Sequence, residues 1–420
     1  MKRALVLCGG GSLGSYEVGV WKYLREKQMH FDIVTGTSIG SLNGALVVMD
    51  DFEKAENLWK TMAADKVMVN GMNFYRRVFK DPNLNKRLIA FAKTYIKNGG
   101  ADISPLEKLV KANIDTAKIK SSPITFGIVT TAYPSLKEVD VVCNDLPENK
   151  IVNYIHASSA CYPIFPIYTI DGHHYVDGGY NNNLPIDFAI RLGATEVVAV
   201  LLHAVPKVPQ HKEMMDLPFV TTVRPSRDTG SIMDFEGKVE SDNMKLGYND
   251  ALKTFHEAWG FGFTFQKDEV SAKISSDFCL AIARKHPYDF EKIQKGLAFN
   301  DIVPKTALDI YLRTLEMIGD WIGLDYLPIY SVQSFIDATI ALIKSKISAS
   351  HKDTFKSNYD FGVLRLPDKE HERFILSLYH ACSSKNKAQK IDRLYANNPE
   401  TAAIKELFFF LQEKGYKTKA

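Results

Sequence analysis

The feature that most limits the possible folds is a strand-like apolar run that ends in a glycine-rich turn and leads into helical spacing. It occurs twice near the start of the chain. Residues 4–7 form the first run, and Tyr16, Val20 and Leu24 follow at helical intervals. Residues 31–35 form the second, and apolar residues again repeat at helical spacing after it. This alternation continues to about residue 205 and predicts an α/β domain, with βα units around a mostly parallel sheet.

The length of the chain and a change in its pattern predict two domains. With 420 residues, the chain exceeds the ~250–300 residues at which a single core stops growing. Beyond about residue 258 helical runs dominate, among them residues 307–322, 332–347 and 404–411. We therefore expect an α/β domain over residues 1–257 and a mainly helical C-terminal region over residues 258–420.

Charge and cysteine content argue against several classes of partner and site. The 52 basic and 49 acidic residues leave a formal net charge of +3, too small for the broad basic surface by which proteins bind nucleic acid. The five cysteines include no Cys-x-x-Cys pair, so neither a disulfide framework nor a zinc site is expected. No run approaches the ~18 apolar residues of a membrane span. The sequence favours a cytoplasmic protein that touches membranes only peripherally, and it does not predict an oligomeric state.

Ser38 lies between the second strand and its helix, in the sequence Gly36-Thr37-Ser38-Ile39-Gly40. A Gly-x-Ser-x-Gly turn at such a junction holds the serine in a strained conformation and exposes its hydroxyl at the end of the sheet. The glycines on either side leave room for the close passage of the backbone. The pattern predicts that Ser38 is a nucleophile and that the amide of Ile39 can stabilise an oxyanion.

A second glycine-rich turn, Gly9-Gly10-Gly11-Ser12-Leu13-Gly14, follows the first strand. Without side chains at its first three positions, consecutive backbone N–H groups can point at a developing negative charge. The same turn fits Gly-x-Gly-x-x-Gly, and Asp32 lies where a ribose-binding acid would, which leaves a dinucleotide-binding Rossmann-type protein as an alternative. That alternative is weakened because Asp32 falls at the start of the second strand, whose carboxyl end carries the serine turn.

Asp177 is the candidate base that would activate this serine. A serine hydroxyl is a weak nucleophile until a neighbouring group accepts its proton. Residues 168–176 are predicted to form a β-hairpin, because a sequence typical of tight two-residue turns lies in their middle, and Asp177 follows the second strand. Gly178 and Gly179 allow a sharp turn there, which would hold the carboxylate at the sheet edge where Ser38 emerges.

The histidines offer no base with comparable context, although histidine is the usual choice for general acid–base catalysis. His173 and His174 are expected at the exposed turn of the hairpin, with His173 about 10 Å or more along the strand from Asp177. His156 is interpreted as a packing or capping residue of a helix. These placements favour an aspartate acting directly on the serine.

The three motifs, in this order, resemble the patatin-like phospholipase family, which is known for a Ser–Asp dyad without histidine. The turn around Ser38 resembles the family's nucleophile motif, Asp177-Gly178-Gly179 its base motif, and residues 9–14 its oxyanion loop. Further segments that resemble the family are residues 102–106, 157–160 and 183–185. The similarity is strongest over residues 1–205 and extends to about residue 257.

This resemblance implies a three-layer α/β/α patatin-like fold and a fatty-acyl lipid substrate, cleaved by Ser38 and Asp177 through an acyl-enzyme. No cofactor and no metal ion are implied. Residues 162–166, an aromatic segment, are candidates to line an apolar slot for the acyl chain. The amides expected to hold the oxyanion are those of Gly9, Gly10, Gly11 and Ile39.

One departure from the family is Leu13, because the family's loop commonly carries a basic residue there, so we expect substrate preference to differ. A catalytically silent lipid-binding protein with the same fold is a further alternative, and the presence of both Ser38 and Asp177 argues against it. Near the C-terminus, residues 408–411 and the lysines after them suggest either contact with a membrane surface or docking of a terminal helix.

Overall fold

The computed structural model of the chain describes residues 1–69, 99–202, 212–349, 369–381 and 399–415. The chain divides into two compact units, Met1–Thr254 and Phe255–Ala420. This division lies close to the domain boundary predicted after residue 257. Of the five cysteines, Cys382 lies outside the described residues, and the other four are free thiols.

The first unit is built around one mixed sheet of eight strands. The strands are β1 (Arg3–Leu7), β2 (Ile33–Thr37), β3 (Thr125–Tyr133), β4 (Lys137–Val142), β5 (Tyr168–Ile170), β6 (His173–Asp177), β7 (Glu196–Val200) and β8 (Val220–Val223). Hydrogen-bonded pairing links them in the series β5-β6-β3-β2-β1-β7-β8, and β4 is also paired to β3. The five strands β3, β2, β1, β7 and β8 are parallel, whereas β4, β5 and β6 pair antiparallel. The predicted hairpin is the β5–β6 pair.

Helices cover both faces of this sheet and give the three expected layers. They are α1 (Ser15–Glu26), α2 (Ile39–Val48), α3 (Phe52–Lys60), α4 (Ser104–Asn113), α5 (Thr116–Ser121), α6 (Glu148–Ser158), α7 (Ile186–Arg191) and α8 (Gly237–Thr254). Gly44 of α2 packs on the ring of Phe126 in β3, and the next strand residue, Gly127, packs on the ring of Phe188 in α7. Because successive strand residues point to opposite faces, α2 and α7 lie on opposite sides of the sheet.

Strand β3 carries β2 and β6 end to end along one edge. β2 pairs with residues 125–129 of β3, and β6 pairs with residues 130–133. β4 pairs with residues 127–132, overlaps both of them, and must therefore occupy the opposite edge. The last residues of β2 and β6, Thr37 and Asp177, consequently pair with consecutive residues of β3.

Helices α1 and α8 cross at two glycines, Gly19 and Gly247. A Cβ at Gly247 would lie 2.1 Å from the carbonyl oxygen of Tyr16, and a Cβ at Gly19 would lie 1.9 Å from the backbone of α8.

We expect Gly247→Ala to lower the free energy of unfolding by about 1–3 kcal/mol, because the overpacking outweighs the gain in helix propensity. Urea denaturation measures this change. Lys245→Ala, on the exposed side of α8, is the control and should change stability by at most about 0.5 kcal/mol; equal losses in both variants would contradict the crossing.

The second unit is mainly helical, as the sequence predicts. Its helices are α9 (Glu269–Lys285), α10 (Phe290–Gly296), α11 (Ala307–Ile322), α12 (Val332–Ala349), α13 (Lys369–Ala381) and α14 (Pro399–Glu413). Three short strands, β9 (Ala258–Trp259), β10 (Thr264–Gln266) and β11 (Ile329–Tyr330), form a small sheet in the order β11-β10-β9. Helix α11 begins at a capping box formed by Thr306 and Asp309 and ends at Gly323, whose φ is 72°. It packs against α9, α12, α13 and α14 and is the centre of this unit.

The aromatic residues near the C-terminus dock helix α14 within its unit. Phe408 and Phe410 are 3% and 7% exposed and belong to the core of the second unit. The docking interpretation is therefore confirmed for these side chains. The alternative prediction, that these two rings contact a membrane surface, is wrong. Lys417 and Lys419 lie outside the described residues. In the described ranges, no helix combines the length and the apolar character needed to cross a membrane.

Candidate active site

Ser38 and Asp177 lie at adjoining strand ends. Thr37, the last residue of β2, pairs with Val129 of β3, and Asp177, the last residue of β6, pairs with Thr130. The Ser38 hydroxyl donates a hydrogen bond of 2.6 Å to Oδ2 of Asp177. The register of β3 thus brings together the two residues that the sequence predicts as nucleophile and base, although they are 139 positions apart.

Ser38 occupies a strained turn of the kind that the Gly-x-Ser-x-Gly pattern predicts. Its backbone angles are φ 54° and ψ −124°, which residues with a side chain seldom adopt. The turn is so tight that a Cβ at Gly36 would lie 2.3 Å from the carbonyl oxygen of Gly40. Helix α2 begins at the next residue, so Ser38 sits where the helix dipole stabilises negative charge.

The Asp177 carboxylate accepts two hydrogen bonds and is shielded from solvent. Oδ2 accepts from Ser38, and Oδ1 accepts from the N–H of Gly179 at 2.7 Å. The backbone N–H of Asp177 donates to the carbonyl oxygen of Ala160. Burial raises the pKa of Asp177 to about 6, although both hydrogen bonds act to lower it. The carboxylate is therefore mostly ionised at neutral pH and is a stronger base than an exposed aspartate.

Three backbone amides near the Ser38 hydroxyl have no hydrogen-bond acceptor in the described part of the chain, namely those of Gly10, Gly11 and Ile39. All three residues line the cavity that contains Ser38. Gly9 differs, because its amide donates to the carbonyl oxygen of Asn183 at 3.0 Å. Gly9 was expected to hold the oxyanion, but this bond leaves its amide unavailable, so we propose a hole made of the other three amides.

The shape of the glycine-rich loop depends on Gly11. Its φ is 57°, in the left-handed region that favours glycine, and a Cβ would lie 2.1 Å from the carbonyl oxygen of Ile232. That same oxygen accepts the N–H of Ser12 at 3.0 Å. At the end of the loop, a Cβ on Gly14 would lie 2.6 Å from the side chain of Ile39. The segment before α8 and the start of α2 therefore both pack closely on this loop.

Two further side chains fix the site, and the motifs alone gave them no role. The Ser158 hydroxyl accepts the N–H of Ser38 at 2.8 Å and donates to the carbonyl oxygen of Val129 at 2.6 Å. Asn183 Nδ2 donates to the carbonyl oxygen of Gly9 at 3.0 Å. Both residues lie in segments that resemble the family, and that resemblance is the sequence signal for them.

A cavity of about 220 Å³ opens beside Ser38 and Asp177. Its wall is mainly apolar and includes Leu42, Met62, Val67, Leu106, Val110, Phe165 and Phe235. Phe165 belongs to the aromatic segment predicted to line an acyl slot. Within the described residues, no charged side chain other than that of Asp177 lines the cavity. The apolar wall therefore suits a hydrocarbon chain whose reacting end lies at the Ser38 hydroxyl.

The three histidines considered from the sequence take no part in the hydrogen bond between Ser38 and Asp177. His156 lines the cavity, with its ring centroid 5.5 Å from that of Tyr168. Burial lowers the pKa of His156 to about 4, so it is uncharged at neutral pH and a weaker base than Asp177. His173 and His174 are exposed on the β5–β6 hairpin, as expected.

Neither a dinucleotide site nor a metal centre has its required residues in place in the described part of the chain. Asp32 precedes Ile33, the first residue of β2, and its Oδ2 accepts the N–H of Arg3 at the start of β1. The glycine-rich loop follows the other end of β1, and a strand of five residues spans roughly 17 Å. Asp32 is therefore too far away to bind a ribose held at the loop. No group of three or more His, Cys, Asp or Glu side chains in those ranges is placed to hold a metal ion.

Known proteins resemble part of this chain. The family model described as patatin-like phospholipase matches residues 5–190. Patatin-like phospholipase domain-containing protein 7 of Mus musculus is 28% identical over 202 residues, which is 47% of this chain and 13% of that protein. Lysophospholipase NTE1 of Mycosarcoma maydis is 30% identical over 201 residues, which is 48% of this chain and 10% of that protein. The matches thus span only a small part of these much longer relatives.

A solved structure also aligns with the chain. The crystal structure of VipD from Legionella pneumophila aligns with 98% of this chain and 90% of that chain, at 14% identity and a TM-score of 0.40. The family match from residue 5 to residue 190 includes the glycine-rich loop, the serine turn and Asp177. Over that stretch, this chain is similar to the patatin-like phospholipase family.

Proposed function

We propose that the chain is a lipid acyl hydrolase with Ser38 as nucleophile and Asp177 as general base. The observation that carries this proposal is the 2.6 Å hydrogen bond between them, made at a strained turn beside three available amides. The family and the apolar cavity favour a fatty-acyl ester as substrate. Within that class we propose phospholipase A or lysophospholipase activity, because a relative is named a lysophospholipase.

In the first half of the reaction, Asp177 accepts the hydroxyl proton as Ser38 Oγ attacks the ester carbonyl carbon. The carbonyl electron pair moves onto oxygen, where the three amides hold the oxyanion, and such donors contribute about 10²–10³-fold each in rate. When the tetrahedral intermediate collapses, the alcohol part of the lipid leaves with the proton from Asp177. The fatty acid is then ester-linked to Ser38.

In the second half, water replaces the alcohol and gives a proton to Asp177 as it attacks the acyl-enzyme carbonyl. The same amides hold the second oxyanion. Collapse breaks the bond to Ser38 Oγ, which recovers its proton from Asp177, and the fatty acid leaves. Each proton in the cycle passes through one carboxylate, whose buried position keeps it a useful base near neutral pH.

The cavity suggests how a lipid would be oriented. We propose that the acyl chain enters the apolar cavity and that the polar head group stays outside, at a membrane or micelle surface. Leu13, which is 1% exposed, adds no charge to the glycine-rich loop. Peripheral membrane contact is part of this proposal, and a cytoplasmic location stays a prediction.

The proposed catalytic domain extends over residues 1–257, beyond the end of the family match. Ile232, Met233 and Phe235 line the cavity, although they lie outside the matched stretch of residues 5–190. The carbonyl oxygen of Ile232 also anchors the glycine-rich loop. A protein cut at the end of the family match would lack these contacts.

A fluorophosphonate probe and a set of lipids test the proposal directly. We expect the probe to label the protein at Ser38, located by mass spectrometry of peptides, and fatty acid to be released from phosphatidylcholine or lysophosphatidylcholine. Absence of labelling and of fatty-acid release would overturn the proposal. Retained binding to vesicles without labelling would favour the silent lipid-binding alternative, and fluorescence titration with NAD tests the dinucleotide alternative.

The rate of ester hydrolysis should depend on pH through Asp177. Because the carboxylate must be ionised to act as base and its pKa is raised to about 6 by burial, we expect kcat/KM to rise with pH and to be half-maximal near that value. One unit below it, about a tenth of the maximal rate should remain. A soluble p-nitrophenyl ester, assayed at constant ionic strength, gives the profile. A rate that stays constant well below this pKa would exclude Asp177 as the base.

A further inference from the structure

Glu17 is a buried carboxyl group that the proposed reaction does not use. It is the third residue of α1 and is 1% exposed. Within the described residues it has no cationic partner, and its hydrogen bonds come from neutral N–H groups. Burial raises the pKa of Glu17 to about 8, with both hydrogen bonds acting to lower it. Burying a carboxyl group costs free energy, which the hydrogen bonds of its two oxygen atoms must offset.

One oxygen of Glu17 holds the start of the glycine-rich loop, and the other reaches the helix after the nucleophile. Oε1 accepts the N–H of Cys8, the residue before Gly9, at 2.7 Å. Oε2 accepts from Nδ2 of Asn43, on α2, at 2.8 Å. Asn43 Nδ2 also donates to the carbonyl oxygen of Gly14, the last residue of the loop, at 2.9 Å. Together the two side chains bind both ends of the loop.

Asn43 cannot rotate freely, because its other end is also bonded. Its Oδ1 accepts the indole N–H of Trp59, on α3, at 3.0 Å. Helix α2, which carries Asn43, begins with Ile39, whose amide is the third donor of the proposed oxyanion hole. The Glu17–Asn43 bond therefore joins the element with the Gly10 and Gly11 amides to the element with the Ile39 amide.

We propose that Glu17 and Asn43 are positioning residues that set the distance between the two halves of the oxyanion hole. This inference rests on the proposed acyl-hydrolase function. A carboxyl group keeps an acceptor lone pair on each oxygen whether or not it is protonated, so Glu17 can bind the Cys8 amide and the Asn43 amide at the same time at neutral pH. A glutamine at position 17 would turn its own NH₂ group towards one of these two donors, whichever way it is oriented, and would lose that bond.

The test compares Glu17→Gln, Asn43→Ala and the double variant with the unaltered chain. Tyr16→Phe is the matched control, because it removes a buried hydrogen bond from the adjacent residue of α1, to Asp250, without touching the loop. Each protein is assayed for kcat and KM with a soluble p-nitrophenyl ester, for the rate of fluorophosphonate labelling, and for stability by urea denaturation.

We expect Glu17→Gln to lower kcat by about 10-fold or more with KM within about two-fold, since only transition-state stabilisation is lost. Labelling should slow in parallel, because the tetrahedral adduct places its oxygen in the same hole. The double variant should lose little more than the worse single variant, because both cut one link. Should one variant not fold, the other is assayed in the same way.

The possible results separate this inference from the function on which it rests. Kinetics of Glu17→Gln equal to those of Tyr16→Phe, in a chain that is labelled at Ser38, would overturn only the positioning role. A raised KM at constant kcat would overturn it too. An unaltered chain that is not labelled at Ser38 would overturn the hydrolase function and this inference together.

Discussion

Replacing Ser38 with alanine should abolish ester hydrolysis, with a fall in kcat of roughly 10⁴-fold or more. The hydroxyl forms the covalent bond to the acyl group, and no other described residue stands in the same strained turn with a carboxylate 2.6 Å away. Removing it leaves the amides and the cavity intact, so lipid binding should persist. The measurements are fatty-acid release from phospholipid and labelling by a fluorophosphonate.

A serine that does not line the cavity provides the control for that experiment. Ser241 lies on α8, and its hydroxyl donates to the carbonyl oxygen of Gly237. Ser241→Ala should keep both labelling and hydrolysis, whereas Ser38→Ala should lose both although the protein still folds. Persistent labelling of Ser38→Ala would show that another residue is the nucleophile and would end the case for this site.

Replacing Asp177 with asparagine should lower kcat by roughly 10³-fold or more and, at the same time, stabilise the fold above about pH 6. The loss of rate follows because an amide cannot accept the Ser38 proton. The gain in stability follows from the pKa, which burial raises to about 6 in the folded chain from an ordinary value near ~3.9. The folded state therefore binds the proton more tightly than the unfolded state does.

The pH range of the stability change follows from these two pKa values. Between them, the unfolded state loses the proton first, so the contribution of Asp177 to the free energy of unfolding falls as pH rises, by about 3 kcal/mol. Asp177→Asn has no proton to lose and should escape this fall. Thermal or urea unfolding, measured at a pH below both values and at a pH above both, checks the prediction. A variant less stable than the unaltered chain at the higher pH would contradict the assigned burial cost.

The sequence predicts the catalytic pair better than its surroundings, for a physical reason. Ser38 and Asp177 carry their conformational requirements beside them as glycines, so short motifs reveal both. Ser158 and Glu17 act through hydrogen bonds to atoms of other elements, among them the backbone N–H groups of Ser38 and Cys8. Nothing in the residues next to them shows where those bonds end, and only the folded register can do so.

The glycine-rich loop shows a similar limit to what the sequence can predict. Its composition predicts free amides, but it cannot show which of them the neighbouring chain will use. The Gly9 amide is taken by Asn183, whose carbonyl oxygen is brought there by the turn after Asp177. In the second unit, helix α11 was predictable from its long periodic pattern, whereas β9 and β11 have two residues each and are too short to show any period.

The end-to-end pairing of β2 and β6 on β3 sets the distance between the catalytic hydroxyl and the carboxylate. Thr37 and Asp177 pair with adjacent residues of one continuous strand, so this distance depends on the register of both pairings. For the same reason, the site is sensitive to the register of β6 on β3. A shift of one residue in β6 would move Asp177 by about 3.4 Å and turn its carboxylate to the other face of the sheet.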